Sequence, residues 1–144
     1  IGKGYGVDRA VEVLRSWGVR DAVVNLGGDL YAMGSSEDGD PWKVGVRSPD
    51  DPDGVVATLS MTDRAVATSG DYLQYFERQG RRYHHLLDPR TGAPAQSGLR
   101  TVTVAAATCM AADAGATTAF VVGRETATPA LGRAAPGSEV VHSA

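Results

Sequence analysis

Asp113 and Thr117 stand four residues apart in the Ala-rich stretch Ala111-Ala112-Asp113-Ala114-Gly115-Ala116-Thr117. If that stretch is helical, one turn separates them on a common face, and a carboxylate and a hydroxyl can reach one hard cation. The same spacing suits a plainer arrangement, with Asp113 capping a helix N-terminus and Thr117 on ordinary helix surface. Spacing alone leaves both open. His84 and His85 are adjacent in Tyr83-His84-His85-Leu86-Leu87, a strand-like run, so their rings point to opposite faces. A zinc site built from both is disfavoured, and at most one of them faces a site. The rigid turn Asp88-Pro89-Arg90-Thr91-Gly92 follows them and brings a carboxylate and a hydroxyl nearby.

Two glycine-rich segments add backbone that can approach an anion. Gly2-Lys3-Gly4-Tyr5-Gly6-Val7-Asp8 places amides and one ammonium where a helix should begin, which suits a phosphate and equally suits a plain helix start with a solvated lysine. It is not a Walker A loop, because Gly4 rather than Ser or Thr follows Lys3. In Asn25-Leu26-Gly27-Gly28-Asp29 the paired glycines allow either a tight chain reversal or close approach to a ligand, and the turn is the simpler reading. Ala67-Thr68-Ser69-Gly70-Asp71-Tyr72 is a further polar stretch at the end of an apolar run.

The elements that must hold these groups are legible in outline. Val7, Ala10, Val11 and Leu14 recur at helical spacing, predicting a helix from about Tyr5 to Trp17 stopped by Gly18. Ala22 to Leu26 reads as a short buried strand, Leu30 to Met33 as its neighbour, and Trp42 to Arg47 as a half-buried strand with period two. The loops Ser35 to Pro41 and Ser48 to Gly54 flank the last of these. Val55 to Met61, Ala65 to Ser69, Tyr83 to Leu87 and Thr101 to Ala107 are further strand candidates with turns of antiparallel type. Met110 to Val122 reads as a helix ending at Gly123, Thr126 to Ala135 as a shorter helix, and Glu139 to His142 as a terminal strand. Strands in runs with few helices define an α+β layout.

Composition narrows the classes. The 144 residues can bury one core, so a single domain is expected. The formal net charge is −3 and the 14 Lys and Arg are scattered, which argues against a nucleic-acid face or a polybasic membrane patch. No apolar run approaches the roughly 20 residues of a membrane-spanning helix. The single cysteine, Cys109, excludes an internal disulfide and a cysteine-based metal cluster. Because the glycine-rich segment starts at the first residue, the chain is expected to be the C-terminal part of a longer product.

Taken in order, these segments resemble the ApbE-type FAD:protein FMN transferases, long labelled thiamine-biosynthesis lipoproteins. The resemblance runs through Gly2-Lys3-Gly4-Tyr5 with Val7-Asp8, Asn25 to Asp29, Pro41 to Val46, Ala67 to Tyr72, His84 to Gly92, and Ala112-Asp113 to Thr117, covering residues 1 to about 123. It implies a T-fold-like α+β architecture, a mostly antiparallel sheet packed with few helices. It also implies an enzyme that binds FAD with Mg2+, cleaves the pyrophosphate and passes FMN to a threonine of a partner protein, releasing AMP. Some members instead hydrolyse FAD to FMN and AMP, and a non-catalytic flavin-binding module is the alternative from another class; keeping both Asp113 and Thr117 argues against that module.

Residue by residue, the resemblance makes Asp113 and Thr117 magnesium ligands, with a backbone carbonyl near Gly2-Lys3-Gly4 as another. Lys3 lies near the nucleotide, and Ser69, Gly70 and Tyr72 line its pocket with Asp29 close by. His85 is expected to activate the acceptor hydroxyl or to contact phosphate, a neutral imidazole being able to take a hydroxyl proton. Gly115 replaces the leucine usual in the family's Asp-Ala-Leu-Ala-Thr helix, a change expected to loosen packing and spare both ligands. An upstream half is expected to complete the flavin-binding wall, so this chain should bind FAD weakly. The implied acceptor is a protein with an exposed threonine, such as a subunit of a membrane redox complex. The implied location is extracytoplasmic, membrane-anchored through an upstream signal or lipid.

Overall fold

The computed structural model describes residues 1–51, 53–72, 74–135 and 137–143. Helix α1 spans Gly2–Ser16 and buries Val7 and Val11, the stripe that the helical spacing predicts. Burying each such side chain is worth about 1.5–3 kcal/mol. The helix starts three residues before Tyr5, so the glycine-rich segment is its first turn and not a loop ahead of it. The chain then reverses at Gly18, whose φ of 80° a side chain would resist.

Strands β1 (Ala22–Leu26) and β2 (Asp29–Met33) form a hairpin in register, with Leu26 opposite Asp29. Gly27 and Gly28 take φ of 58° and 95°, the two positive values of a type I′ turn, and the Gly28 N–H donates to Asn25 Oδ1 at 3.0 Å. Strands β3 (Trp42–Arg47) and β4 (Val55–Met61) form a second hairpin, and β5 covers Arg64–Gly70. A third hairpin joins β6 (Tyr75–Arg78) to β7 (Arg81–His84), then come β8 (Thr101–Ala106), α2 (Cys109–Val122), α3 (Arg124–Ala134) and β9 (Glu139–Ser143).

Five strands make one antiparallel sheet in the order β1-β2-β5-β8-β9. Alternation sends Tyr31, Met33, Ala65, Ala67 and Ala106 towards α1 and α2, and Leu30, Ala32 and Val66 to the opposite face, where Trp42, Val44, Leu59 and Met61 of the β3–β4 hairpin cover them. The central strands β2 and β8 are therefore buried along their whole length. Phe120 and Ala116 of α2, with Leu131 of α3, complete the core over Val102 and Val104.

Three expectations need correction. Ala22 to Leu26 is not a buried strand: it lies at the sheet edge with one neighbour, and Val23 and Leu26 stay exposed, because a short apolar run carries no sign of which strand ends the sheet. The strand expected from Tyr83 to Leu87 ends at His84, Leu87 making only an isolated bridge to Pro94, since the Asp88-Pro89 turn bends the chain away. Gly115 tightens packing: a Cβ there would lie 2.9 Å from Leu131 Cδ2 and 3.2 Å from Val104 Cγ1, so its absence lets α2 settle between β8 and α3. The other expected elements are present with ends displaced by one to three residues.

Candidate functional site

Parity and helix phase bring the candidates together at one end of the sheet. Asp29 opens β2 and Ser69 comes near the end of β5, both on the helix side, and antiparallel pairing puts those two strand ends side by side. Asp113 and Thr117 occupy successive turns of α2 facing them, and Lys3 reaches in from the first turn of α1. These five residues line a cavity of about 470 Å3 with Gly27, Thr68, Gly70, Tyr72, Gln74, His85, Leu86. Lys3, Asp29, Ser69, Gly70, Tyr72, His85, Asp113 and Thr117 thus line one cavity.

Asp113 does not cap α2. Thr108 does, its hydroxyl accepting from the Ala111 N–H at 3.2 Å, so Asp113 sits in the second turn with its carboxylate turned to the cavity. Asp113 Oδ2 accepts the Gly4 N–H at 3.0 Å. Burial works to raise this carboxyl, and the hydrogen bond from the Gly4 N–H works to lower it. The Gly4 amide is therefore engaged within the protein; of the Gly-Lys-Gly segment, the Lys3 ammonium faces the cavity, 3.0 Å from Asp29 Oδ1.

Asp29 is 1% exposed, and its Oδ2 has no hydrogen-bond partner. Burial raises its carboxyl above the usual range, Lys3 opposes that, and the neighbouring Asp113 charge adds to it. Two carboxyl groups in contact, one with an unpartnered buried oxygen, concentrate negative charge that a bound cation or a shared proton relieves. Thr117 Oγ1, 3.0 Å from Ser69 Oγ, adds a neutral oxygen one helical turn away. Carboxylates and hydroxyl are the hard oxygen donors that magnesium prefers, so the residues present fit that ion.

The two histidines separate as strand alternation requires. His84 packs edge-on against Phe120, ring centroids 5.6 Å apart, and its Nε2 donates to the Ala95 carbonyl at 3.1 Å. It is a packing residue. His85 is exposed on the cavity wall, and its Nδ1 lies 3.3 Å from the Gln74 carbonyl. A carbonyl only accepts, so Nδ1 carries a proton, and in the neutral ring Nε2 is the nitrogen with the free lone pair.

Sequence reasoning missed two supports. Asp8 Oδ1 and Oδ2 accept the Cys109 and Met110 N–H groups at 2.7 and 2.9 Å, tying α1 across the N-terminus of α2. That bond spans a hundred positions of chain and has no local signal. Tyr72 folds its ring over Gly70, where a Cβ would come within 2.6 Å of it, while Asp71 is held by Arg100 Nε at 2.9 Å. A second cavity of about 520 Å3, lined by Val44 to Arg47 of β3 and by Asn25, Val66 and Thr103, shares Gly27, Thr68 and Tyr72 with the first.

Cys109 is fully buried beneath the site, its Sγ 3.7 Å from the Leu30 carbonyl. Burial, then the charges of Asp29 and Asp8, push the thiol up to about 12 from 9.0. The folded chain therefore holds the neutral thiol where the unfolded chain has begun to ionise. Stability from this group is complete below pH 9 and falls as pH rises from there towards 12. At pH 8 the thiol is expected to resist an aromatic disulfide reagent in buffer and to react at once in denaturant; fast labelling of the native chain would contradict this burial.

Paired carboxylates, a hydroxyl, an ammonium and an imidazole thus line one cavity of an antiparallel α+β scaffold. The comparisons give the family. The ApbE family model matches residues 1–141, and the chain belongs to that family. It is similar to the FAD:protein FMN transferase of Vibrio cholerae, 41% identical over 126 residues covering 87% of this chain and 38% of that protein. It is 38% identical over 151 residues to the Treponema pallidum FAD:protein FMN transferase, covering 98% of this chain and 41% of the relative. The crystal structure of the Thermotoga maritima ApbE protein superposes with a TM-score of 0.86 at 38% identity, covering 97% of this chain and 45% of that one. The flavin transferase ApbE from Vibrio cholerae superposes with a TM-score of 0.78 at 38% identity, over 92% and 41%. The chain spans about two fifths of the length of the curated relatives it matches.

Proposed function

We propose that the protein carrying this chain transfers FMN from FAD to a threonine of a partner protein, with Mg2+ held by Asp113, Thr117 and Asp29. The observation that carries this reading is the unpartnered, buried Asp29 oxygen beside Asp113, with Lys3 and His85 on the same wall. When bound, Mg2+ supplies charge neutralisation for the pyrophosphate. Lys3 adds a positive charge beside it. Ser69, Gly70 and Tyr72 line the nucleotide pocket, and the cavity that adjoins it at Tyr72 gives the remainder of the dinucleotide room.

In the transfer itself the acceptor threonine oxygen bonds to the FMN phosphorus, the bond from that phosphorus to the AMP oxygen breaks, and AMP leaves. The threonine proton goes to His85 Nε2, the basic nitrogen of the neutral ring whose Nδ1–H donates to the Gln74 carbonyl. The similarity to the named transferases supports this reading over simple FAD hydrolysis. An extracytoplasmic, membrane-anchored protein serving a membrane redox complex is part of the same proposal.

The test is incubation with FAD, Mg2+ and a threonine-bearing acceptor, followed by mass spectrometry of the acceptor. An FMN adduct formed only with Mg2+ is expected. His85→Gln should slow its formation by about 100-fold, the scale of a lost general base. Release of FMN and AMP with no adduct would replace the transferase by a pyrophosphatase, and a His85→Gln rate equal to wild type would remove that histidine from proton transfer.

A further inference from the structure

Asp71 stands between Gly70 and Tyr72, two residues of the cavity wall, and its own carboxylate is taken up by two arginines. Oδ1 accepts from Arg100 Nε at 2.9 Å, Oδ2 lies 3.6 Å from Arg82 Nη1, and the Asp71 N–H donates to the Arg100 carbonyl at 3.1 Å. Arg100 Nη1 also donates to Asp50 Oδ1 at 3.0 Å, and Arg82 Nη2 lies 3.5 Å from Glu77 Oε1. Asp71 is the most buried member of this network and the one shared by both arginines, its side chain 13% exposed against 60% for Glu77 and 74% for Asp50. Solvent screens the two outer pairs, so the arginines are held chiefly through Asp71.

Each arginine belongs to a different part of the site. Arg82 lies in β7, shortly before His85, and the β6–β7 hairpin has Gln74 and His85 at its feet, hydrogen-bonded to each other and both lining the cavity. A two-stranded hairpin has little stability of its own, so its ties to the body fix where the His85 ring stands. His84 supplies one tie, on Phe120, and Arg82 supplies another, on Asp71. Arg100 stands just before β8, and its second carboxylate, Asp50, lies in the loop joining β3 to β4. That hairpin carries Val44 to Arg47 along the second cavity, and Tyr72 lines both cavities.

We infer, on the transferase reading, that Asp71 is a positioning residue with two separable effects. Through Arg82 it sets His85 for proton transfer, and through Arg100 it sets Tyr72 and the β3–β4 hairpin for the nucleotide. Displacing a base by an ångström costs up to about 100-fold in rate, because proton transfer needs hydrogen-bond reach. Displacing a pocket wall changes affinity for whatever the pocket holds. Breaking the network on one side should therefore change kcat, and on the other side KM.

The test compares Arg82→Gln, Arg100→Gln, Asp71→Asn and the Asp71→Asn/Arg82→Gln double variant of the whole protein. Adduct formation gives kcat and KM for FAD, quenching of flavin fluorescence gives the FAD Kd, and hydrogen exchange reports on the β6–β7 amides. Arg82→Gln is expected to lower kcat about ten-fold with KM and Kd for FAD unchanged, and to speed exchange in the hairpin. Arg100→Gln should raise the FAD Kd about ten-fold, the scale of one charge-assisted hydrogen bond, with hairpin exchange unchanged. Asp71→Asn should show both effects, and adding Arg82→Gln to it should cost little more in kcat, since the two changes cut one contact. Independent, multiplying losses in the double variant overturn the inference. So does a uniform loss of stability in all variants with no split between kcat and KM, which is what a merely structural network would give. Absence of any adduct from wild type would strike the transferase reading instead, and hairpin exchange and FAD Kd would still decide whether Asp71 sets the two walls.

Discussion

Asp113→Ala is expected to abolish FMN transfer, by about 1,000-fold or more, in a protein that still folds. The carboxylate joins both helices at the proposed cation position: it faces Asp29, accepts the Gly4 N–H and lies a turn from Thr117. Losing the anchoring charge for a metal forfeits several kcal/mol of charge stabilisation at the phosphate, and each 1.36 kcal/mol is a factor of ten in rate. The fold is spared because alanine is at home in a helix and the lost contacts lie at the cavity wall. Thr117→Val, which removes a neutral ligand, should cost far less. Rates of adduct formation measured at saturating Mg2+ check the order, and an Asp113→Ala enzyme within ten-fold of wild type would contradict it.

Gly4→Ala should have the largest effect on stability, about 3 kcal/mol, at the upper end of overpacking penalties. A Cβ at this position would lie 2.4 Å from the Cys109 carbonyl oxygen and 2.7 Å from Met110 Cα, all backbone of the first turn of α2, so no rotamer change relieves the clash. Helix α1 must move away, which strains the Gly4 to Asp113 bond, the Asp8 clamp on α2 and the Lys3 to Asp29 pair together. Urea unfolding of wild type and variant measures the loss, and a difference under about 0.5 kcal/mol, within the scatter of ordinary surface changes, would show that α1 does not need this close approach.

Much of the site was legible because its residues obey short-range periodicity. The four-residue step from Asp113 to Thr117 fixes a shared helix face, and the adjacency of His84 and His85 fixes opposite strand faces, so one ring reaches the cavity and the other packs on Phe120. What local pattern could not supply was the partner of each group. Gly4 resembles part of a phosphate cradle in sequence, whereas its missing side chain serves helix contact and its N–H serves Asp113. Asp8 meets its partners a hundred residues on. The edge position of Ala22 to Leu26 depends on strand order, which no single strand encodes. Strand β6 does carry a readable signal: Tyr75-Phe76 and Tyr83 flank Gln79-Gly80, whose φ of 52° and 72° make a two-residue hairpin turn.

The central claim is that Asp29, Asp113 and Thr117 form one divalent-cation site. Titrating Mn2+ into the protein with FAD present, and following free Mn2+ by electron paramagnetic resonance, tests it most directly. The account predicts one saturable site in wild type, weakened in Thr117→Val and lost in Asp113→Ala, with Mg2+ displacing the bound Mn2+. Mn2+ held as tightly by Asp113→Ala as by wild type would contradict it.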